Sequence, residues 1–262
     1  MPIEFRCIRC GQRLRVPETD HGKRARCPIC NAIVDVPGED QSAPVLLTSD
    51  KSDVIDYELF GEETQHVEIT LDPGEVTVAR MENLLHMTPG VAMESALSNG
   101  TDGSLLERIS VVSRRLLNSN ALRMTAFCNV AEKREIVAFA PDVPGRLVPL
   151  HLDEYGNQIT CQGKAILCAA RGTEINEVEV PAISQLTTTC QLSGDGIAVL
   201  QSAGQLIHRH LKAGKSLVVR VHAIVAFTSD IQITSHESVG IEEKIPIAVI
   251  RGPGEIWLQT GS

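Results

Sequence analysis

The chain has 262 residues, of which 43% are hydrophobic and 22% charged, so it can bury a sizeable core and is not wholly disordered. It holds no apolar run of about 18 residues, and its start, MPIEFRCIRC, has no apolar signal region, so neither a helical membrane span nor a secreted precursor is expected. The formal charge of −9 is uneven: residues 1–37 hold seven Lys and Arg against four Asp and Glu, a net of +3, which leaves −12 on the rest. A basic head on an acidic body predicts two modules, and an acidic body is a poor nucleic-acid surface.

The head carries Cys7, Cys10, Cys27 and Cys30 in the pattern C-x2-C-x16-C-x2-C. A tetrahedral Zn ion takes four soft ligands, and each C-x2-C knuckle supplies two thiolates. The halves repeat: CIRCGQRLRVP (7–17) matches CPICNAIVDVP (27–37) at an offset of 20. After each knuckle, QRLRV and AIVDV alternate as short strands do. A redox dithiol would need a βαβ setting that this head lacks, and neither C-x2-C is followed by the His that haem attachment needs. Residues 1–37 therefore read as a zinc-ribbon-like module whose folding energy comes largely from metal, on the order of 10–16 kcal/mol in finger peptides. Arg6, Arg9, Arg13, Arg15, Lys23, Arg24 and Arg26 allow a nucleic-acid reading. Against it, a tetrathiolate Zn site carries two negative charges that nearby cations offset, and only Phe5 could stack on a base.

Residues 38–52, GEDQSAPVLLTSDKS, have the Pro, Gly, Ser and acidic content of a linker. Further on, Ser104 and Glu107 make a capping box, and Leu105, Ile109, Val112 and Leu116 follow at helical spacing, predicting one helix that ends near Asn118.

The remaining pattern is β and repeats three times, over 67–88, 148–170 and 207–228. Each copy has a strand ending at Leu71, Leu152 or Leu211, then a turn at Gly74, Gly156 or Gly214, then two further strand segments. A second element recurs over 127–140, 190–202 and 249–260, where Gly-containing tips such as 193–196 and 252–254 predict hairpins. A Gly-rich loop can cradle phosphate, but no P-loop Lys and no following helix accompany these. Three copies predict an antiparallel body of approximate threefold symmetry, sandwich-like or closed, with its edges hidden.

The motifs LDPGEVTVARMENLLHMTPGVAMES, FAPDVPGRLVPLHLD, ITCQGKAILCAARGTEI, LSGDG, LKAGKSLVV, IVAFT and GPGEIWLQT resemble, in order, those of the AIM twenty-four family (altered inheritance of mitochondria). The resemblance covers 53–262. It implies a mainly β, TRAP-like domain of double-stranded-β-helix type, with no established enzymatic activity. It also implies a structural or assembly role, with the mitochondrial members associated with the inner membrane. Two features depart from the family: residues 176–191, NEVEVPAISQLTTTCQ, replace a glycine-rich, aromatic-containing stretch, and the cysteine head is an addition.

Chemistry is sparse in the body. Cys128, Cys161, Cys168 and Cys190 lack metal-ligand spacing and read as small buried hydrophobes. His208 and His210 share a strand face, and His151 holds the position of His210 in another repeat. Double-stranded β-helices include metal enzymes, so a cupin-like metal-dependent enzyme is one alternative function, and nucleic-acid recognition through the head is another. The leading expectation is a non-enzymatic scaffold or interaction protein with a structural zinc module. Unidentified protein partners and self-association are expected. The cytoplasm is the expected location, which leaves peripheral membrane attachment open.

Overall fold

In a computed structural model of the chain, the described residues are 3–6, 13–17, 19, 23–26, 28, 33–36, 52–95, 124–184, 186–236 and 245–261. They fall in two units, Met1–Lys51 and Ser52–Ser262. The helix predicted over 104–118 and most of the linker lie outside the described residues.

In the first unit, strand β1 (Ile3–Arg6) pairs antiparallel with β2 (Arg13–Val16), and β3 (Arg24–Arg26) pairs with β4 (Ile33–Asp35). β2 and β4 are the strands expected after the knuckles. The Val36 amide donates to the Lys23 carbonyl at 2.8 Å and extends the second hairpin. Leu14 and Val36 are buried, a small apolar contribution of the kind such short modules have.

The second unit opens with β5 (Asp56–Phe60) and then runs through one six-strand plan three times. The first repeat is β6 (His66–Leu71), β7 (Val76–Arg80), β8 (Leu84–Met87), β9 (Val91–Ser95), β10 (Met124–Asn129) and β11 (Glu135–Phe139). The second is β12 (Leu147–His151), β13 (Gln158–Gln162), β14 (Ile166–Ala170), β15 (Glu174–Glu177), β16 (Thr189–Ser193) and β17 (Ile197–Gln201). The third is β18 (Leu206–Leu211), β19 (Ser216–Arg220), β20 (Ile224–Thr228), β21 (Gln232–His236), β22 (Ile247–Arg251) and β23 (Gly254–Gln259). In each, a 3-10 turn (Met81–Asn83, Gly163–Ala165 or Val221–Ala223) joins the second strand to the third. Gly74, Gly156 and Gly214 turn the chain between the first strand and the second at φ of +83°, +69° and +76°. A Cβ there would meet nothing within 4 Å, so backbone conformation and not crowding selects glycine.

Within every repeat the first, sixth and third strands form one half-sheet, and the second, fifth and fourth form another. The hairpins expected over 127–140, 190–202 and 249–260 are therefore corrected. Their two strands, β10/β11, β16/β17 and β22/β23, belong to different sheets, and the tip crosses from one layer to the next. A Gly tip between two apolar runs looks the same locally in both cases. The discriminating signal is burial on both faces, visible in β17 as five consecutive buried residues, where a half-solvated hairpin strand would alternate.

Half-sheets of adjacent repeats fuse through two joints, β7 with β14 and β13 with β20. Four sheets result, in the orders β5-β6-β11-β8, β12-β17-β14-β7-β10-β9, β15-β16-β13-β20-β23-β18 and β19-β22-β21. Three apolar clusters lie between successive sheets. Phe127, Phe139 and Leu167 belong to the first, Trp257, Ile159 and Leu150 to the second, and Ile250, Ile224 and Phe227 to the third. The third cluster also takes Ile183, with Val180 and Ala182 against it. The segment that departs from the family thus packs on the third repeat. With aromatics at 3% of the chain, Val, Ile, Leu, Ala and Cys fill most of this interior, as branched aliphatics in double-faced sheets do.

Candidate functional site

Cys7, Cys10, Cys27 and Cys30 lie outside the described residues; the strands that flank them do not. The pair Arg6↔Arg13 closes the connection 7–12, and Arg26↔Ile33 closes 27–32. Each C-x2-C therefore sits in the connection of its own antiparallel hairpin. Four thiols delivered by two such connections are a donor set of the softness and number that Zn takes.

In the body the titratable groups divide by depth. Cys128, Cys161, Cys168 and Cys190 are all buried and unpaired. Burial pushes every one of these thiols up, Cys190 to about 11, which keeps them protonated and poor as nucleophiles or ligands. Sequence reading placed them apart, but Cys161 and Cys190 are direct register partners on β13 and β16. No spacing rule signals a pair separated by two intervening strands and a long connection.

His151, His208 and His210 lie on two sheets. His208 and His210 are exposed on β18, where Glu255 on β23 faces them. His208 Nε2 is 2.7 Å from Glu255 Oε2, and His210 Nδ1 is 3.8 Å from Oε1. The His208 ring stacks on buried Trp257 at 4.7 Å between centroids and 3° between planes, and Tyr155 meets the same indole edge-on at 5.3 Å. His151 ends β12 in another sheet, with its ring 6.2 Å from Tyr57. The three histidines of the cupin-like alternative are not brought together, and no three His, Cys, Asp or Glu side chains converge as a metal site among the described residues. The His208–Trp257 stack is an aromatic cross-strand pair, a stabilising unit of sheets.

The deepest charge pair lies where the body begins. Arg171 Nη2 donates to Asp53 Oδ1, and the Val76 amide donates to Asp53 Oδ2 at 3.1 Å. The Asp53 amide donates to the Arg171 carbonyl at 2.9 Å, and the Arg171 amide to the Val76 carbonyl at 3.0 Å. Burial pushes the Asp53 carboxyl up, while Arg171 and the Val76 amide pull against it. The Ser52 amide donates to Asp195 Oδ1 at 2.8 Å. A Cβ on Gly172 would stand 2.6 Å from Ser52 Cα, and one on Gly196 2.7 Å from Ser52 Cβ. The glycines of 193–196 and Gly172 therefore admit the chain's own Ser52, which accounts for this Gly-rich loop without a phosphate.

Nearby, Glu75 Oε2 accepts from the Asp72 amide at 2.8 Å. Partial burial, reinforced by Asp53, Asp72 and Asp56, pushes its carboxyl from 4.5 up to about 7. The folded chain thus holds a proton there that the unfolded chain releases, so folded-state stability falls as pH rises from about 4.5 to about 7. Glu75→Gln is expected to flatten that slope and to raise stability above neutral pH. Urea unfolding between pH 5 and pH 8 checks it, and an unchanged slope in the variant would assign the effect elsewhere.

Comparison with known proteins places these features. The family model described as Mitochondrial biogenesis AIM24 matches residues 57–261. None of the curated proteins matches the chain. Among solved structures, the X-ray crystal structure of protein SPYM3_0169 from Streptococcus pyogenes is similar with a TM-score of 0.62 at 20% identity. The match covers 79% of this chain and 93% of that one. At that identity the likeness speaks for the fold alone.

Proposed function

We propose, from the premise that this chain belongs to the family described as Mitochondrial biogenesis AIM24, that it works as a non-enzymatic scaffold. In this reading the β-body binds protein partners and self-associates, and the head is a recognition module folded around a structural Zn held by Cys7, Cys10, Cys27 and Cys30. The observation that carries the reading is the stack of four sheets built from three like repeats. Repeat stacks extend in one direction and offer long surfaces to partners. The side chains with reactive potential serve packing instead: four buried thiols, a buried ion pair and a ring stack. Unpaired thiols fit a reducing compartment, and the reading places the protein in the cytoplasm. No helix among the described residues is long and apolar enough to cross a membrane; attachment to one would be peripheral and through partners.

Size-exclusion chromatography with light scattering, run beside affinity capture with the full chain and with residues 52–262, tests the reading. A self-associating chain, or partners retained specifically by one of the two forms, is the expected outcome. A strict monomer that captures nothing overturns it.

A further inference from the structure

The two joints between repeats are equivalent residue by residue. In the first, Cys168 faces Ala79, Ala169 faces Val78 and Ala170 faces Thr77. In the second, Ala226 faces Cys161, Phe227 faces Thr160 and Thr228 faces Ile159. Counted along each strand, the register is the same: the third strand of one repeat pairs with the second strand of the repeat before it. The third strand also bulges at the same place each time, with Leu85, Leu167 and Val225 skipped in the pairing to the sixth strand.

The plan leaves one strand of each kind without a joint. β8, the third strand of the first repeat, lies at the end of its sheet, and so does β19, the second strand of the last repeat. No described strand pairs with either outer edge. The side chains there lose the cover that their counterparts have. Val218 on β19 is 60% exposed, against 0% for Val78 and 7% for Thr160. The bulge residue Leu85 is 52% exposed, against 0% for Leu167 and 1% for Val225.

Some of the other sheet margins carry protection of the kinds natural proteins use. β6 is covered by β5, β12 carries Pro149, and β18 carries the polar run His208-Arg209-His210. β8 (LLHM) and β19 (SLVVR) have neither proline nor lysine, and beside His86 and Arg220 their residues are Leu84, Leu85, Met87, Leu217, Val218, Val219 and Ser216. An unprotected apolar edge is a template for another strand. The one strand whose register is already specified for β19 is a β8, and the reverse holds for β8. Among the described residues neither edge has a strand partner, so each can take its complement from outside.

We propose that a second copy of this chain supplies it. β8 of one copy pairs antiparallel with β19 of the next, so that β5-β6-β11-β8 and β19-β22-β21 fuse into one sheet. The register of the internal joints sets Met87 against Val218, His86 against Val219 and Thr88 against Leu217. His86 enters the joint beside a carboxylate, with Glu68 Oε1 3.4 Å from its Nε2. The contact is heterologous, so copies add head to tail into a ring or an open chain of repeats. This inference rests on the scaffold reading and names its self-associating surface.

The test uses full-length Met87→Cys and Val218→Cys chains treated with diamide, with wild type setting the background from the native thiols. Facing residues in an antiparallel pair are close enough for a disulfide. The expected result is a covalent dimer in the mixture of the two variants, with neither variant alone exceeding wild type. The Met87→Cys/Val218→Cys double variant should give a ladder of multimers. Val218→Lys should abolish concentration-dependent association in light scattering with its thermal unfolding unchanged. Cross-linking of either single variant alone overturns the proposal, and so does a disulfide within one chain of the double variant. Association that persists without cross-linking overturns the edge pairing and leaves the scaffold reading standing. A monomer that also captures no partner ends both.

Discussion

An Arg171→Ala chain is expected to unfold about 3–5 kcal/mol more easily than wild type, because the substitution leaves Asp53 as a buried charge without its partner. The number is large beside the roughly 5–15 kcal/mol that holds an ordinary domain together. Both side chains are nearly buried, so water cannot replace the guanidinium. The loss would also propagate. Asp53 accepts the Val76 amide of β7, and its own backbone bonds to the Arg171 carbonyl just after β14. The pair thus ties the start of the body to the first two repeats beside their joint. Lower urea midpoints report the loss. The control is Asp53→Asn with Arg171→Met, which removes both charges and is expected to recover most of the stability, since a buried ion pair often does no better than apolar groups of like size. If Arg171→Ala alone costs less than about 1 kcal/mol, as a solvent-exposed pair would, the pair is not sealed from solvent.

This tie marks the boundary of what the chain's pattern makes legible. The threefold period is readable because its markers are local: a leucine at or just after the end of the first strand, a glycine two residues before the second, and a third segment that ends 14 residues after that glycine. Pairing is not local. Arg171 lies 118 residues from Asp53, and nothing near either residue announces the other. The same holds for Cys161 and Cys190, which share a register position across the loop that contains Ile183. The hairpin expectation failed for a related reason. The turn at 193–196 has the glycines of a hairpin tip, and those glycines are needed for positive φ at Gly194 and for the close approach of Ser52 to Gly196. One residue type thus answered two demands, and only the sheet to which each flanking strand belongs separates them.

The charge asymmetry between residues 1–37 and the rest is readable in the sequence, but the chemistry of the body is not. The histidines illustrate the difference. His208 and His210 alternate onto one face as the strand period requires, and Glu255 meets them because β18 and β23 pair His210 with Glu255. No third His, Cys, Asp or Glu among the described residues joins them as a metal site. His151, the matching residue of the preceding repeat, is carried on another sheet by the very operation that makes the repeats alike. Internal symmetry therefore separates equivalent residues and does not gather them, which is why a motif repeated three times in sequence need not build one site.

The head follows the opposite rule, since its two half-motifs act together only if metal joins them. Four thiolates on two short hairpins, with Leu14 and Val36 as the buried apolar residues described there, leave little other source of folding energy. Removing Zn with a strong chelator is expected to unfold residues 1–37, a loss on the order of the 10–16 kcal/mol with which finger peptides hold Zn. The cooperative unfolding of residues 52–262 should stay unchanged. Metal analysis should find one Zn per full-length chain and none after Cys10→Ser in the head. Amide resonances of the head should collapse to the unfolded range on chelation and return when Zn is added back. The same measurement on residues 52–262 separates the competing chemistry, because metal that stays with the body after the head is deleted would revive a centre there. A head that keeps dispersed resonances in chelator would show that its hairpins fold without metal. The cysteine spacing would then need another explanation, for example thiol chemistry in the connections that follow β1 and β3.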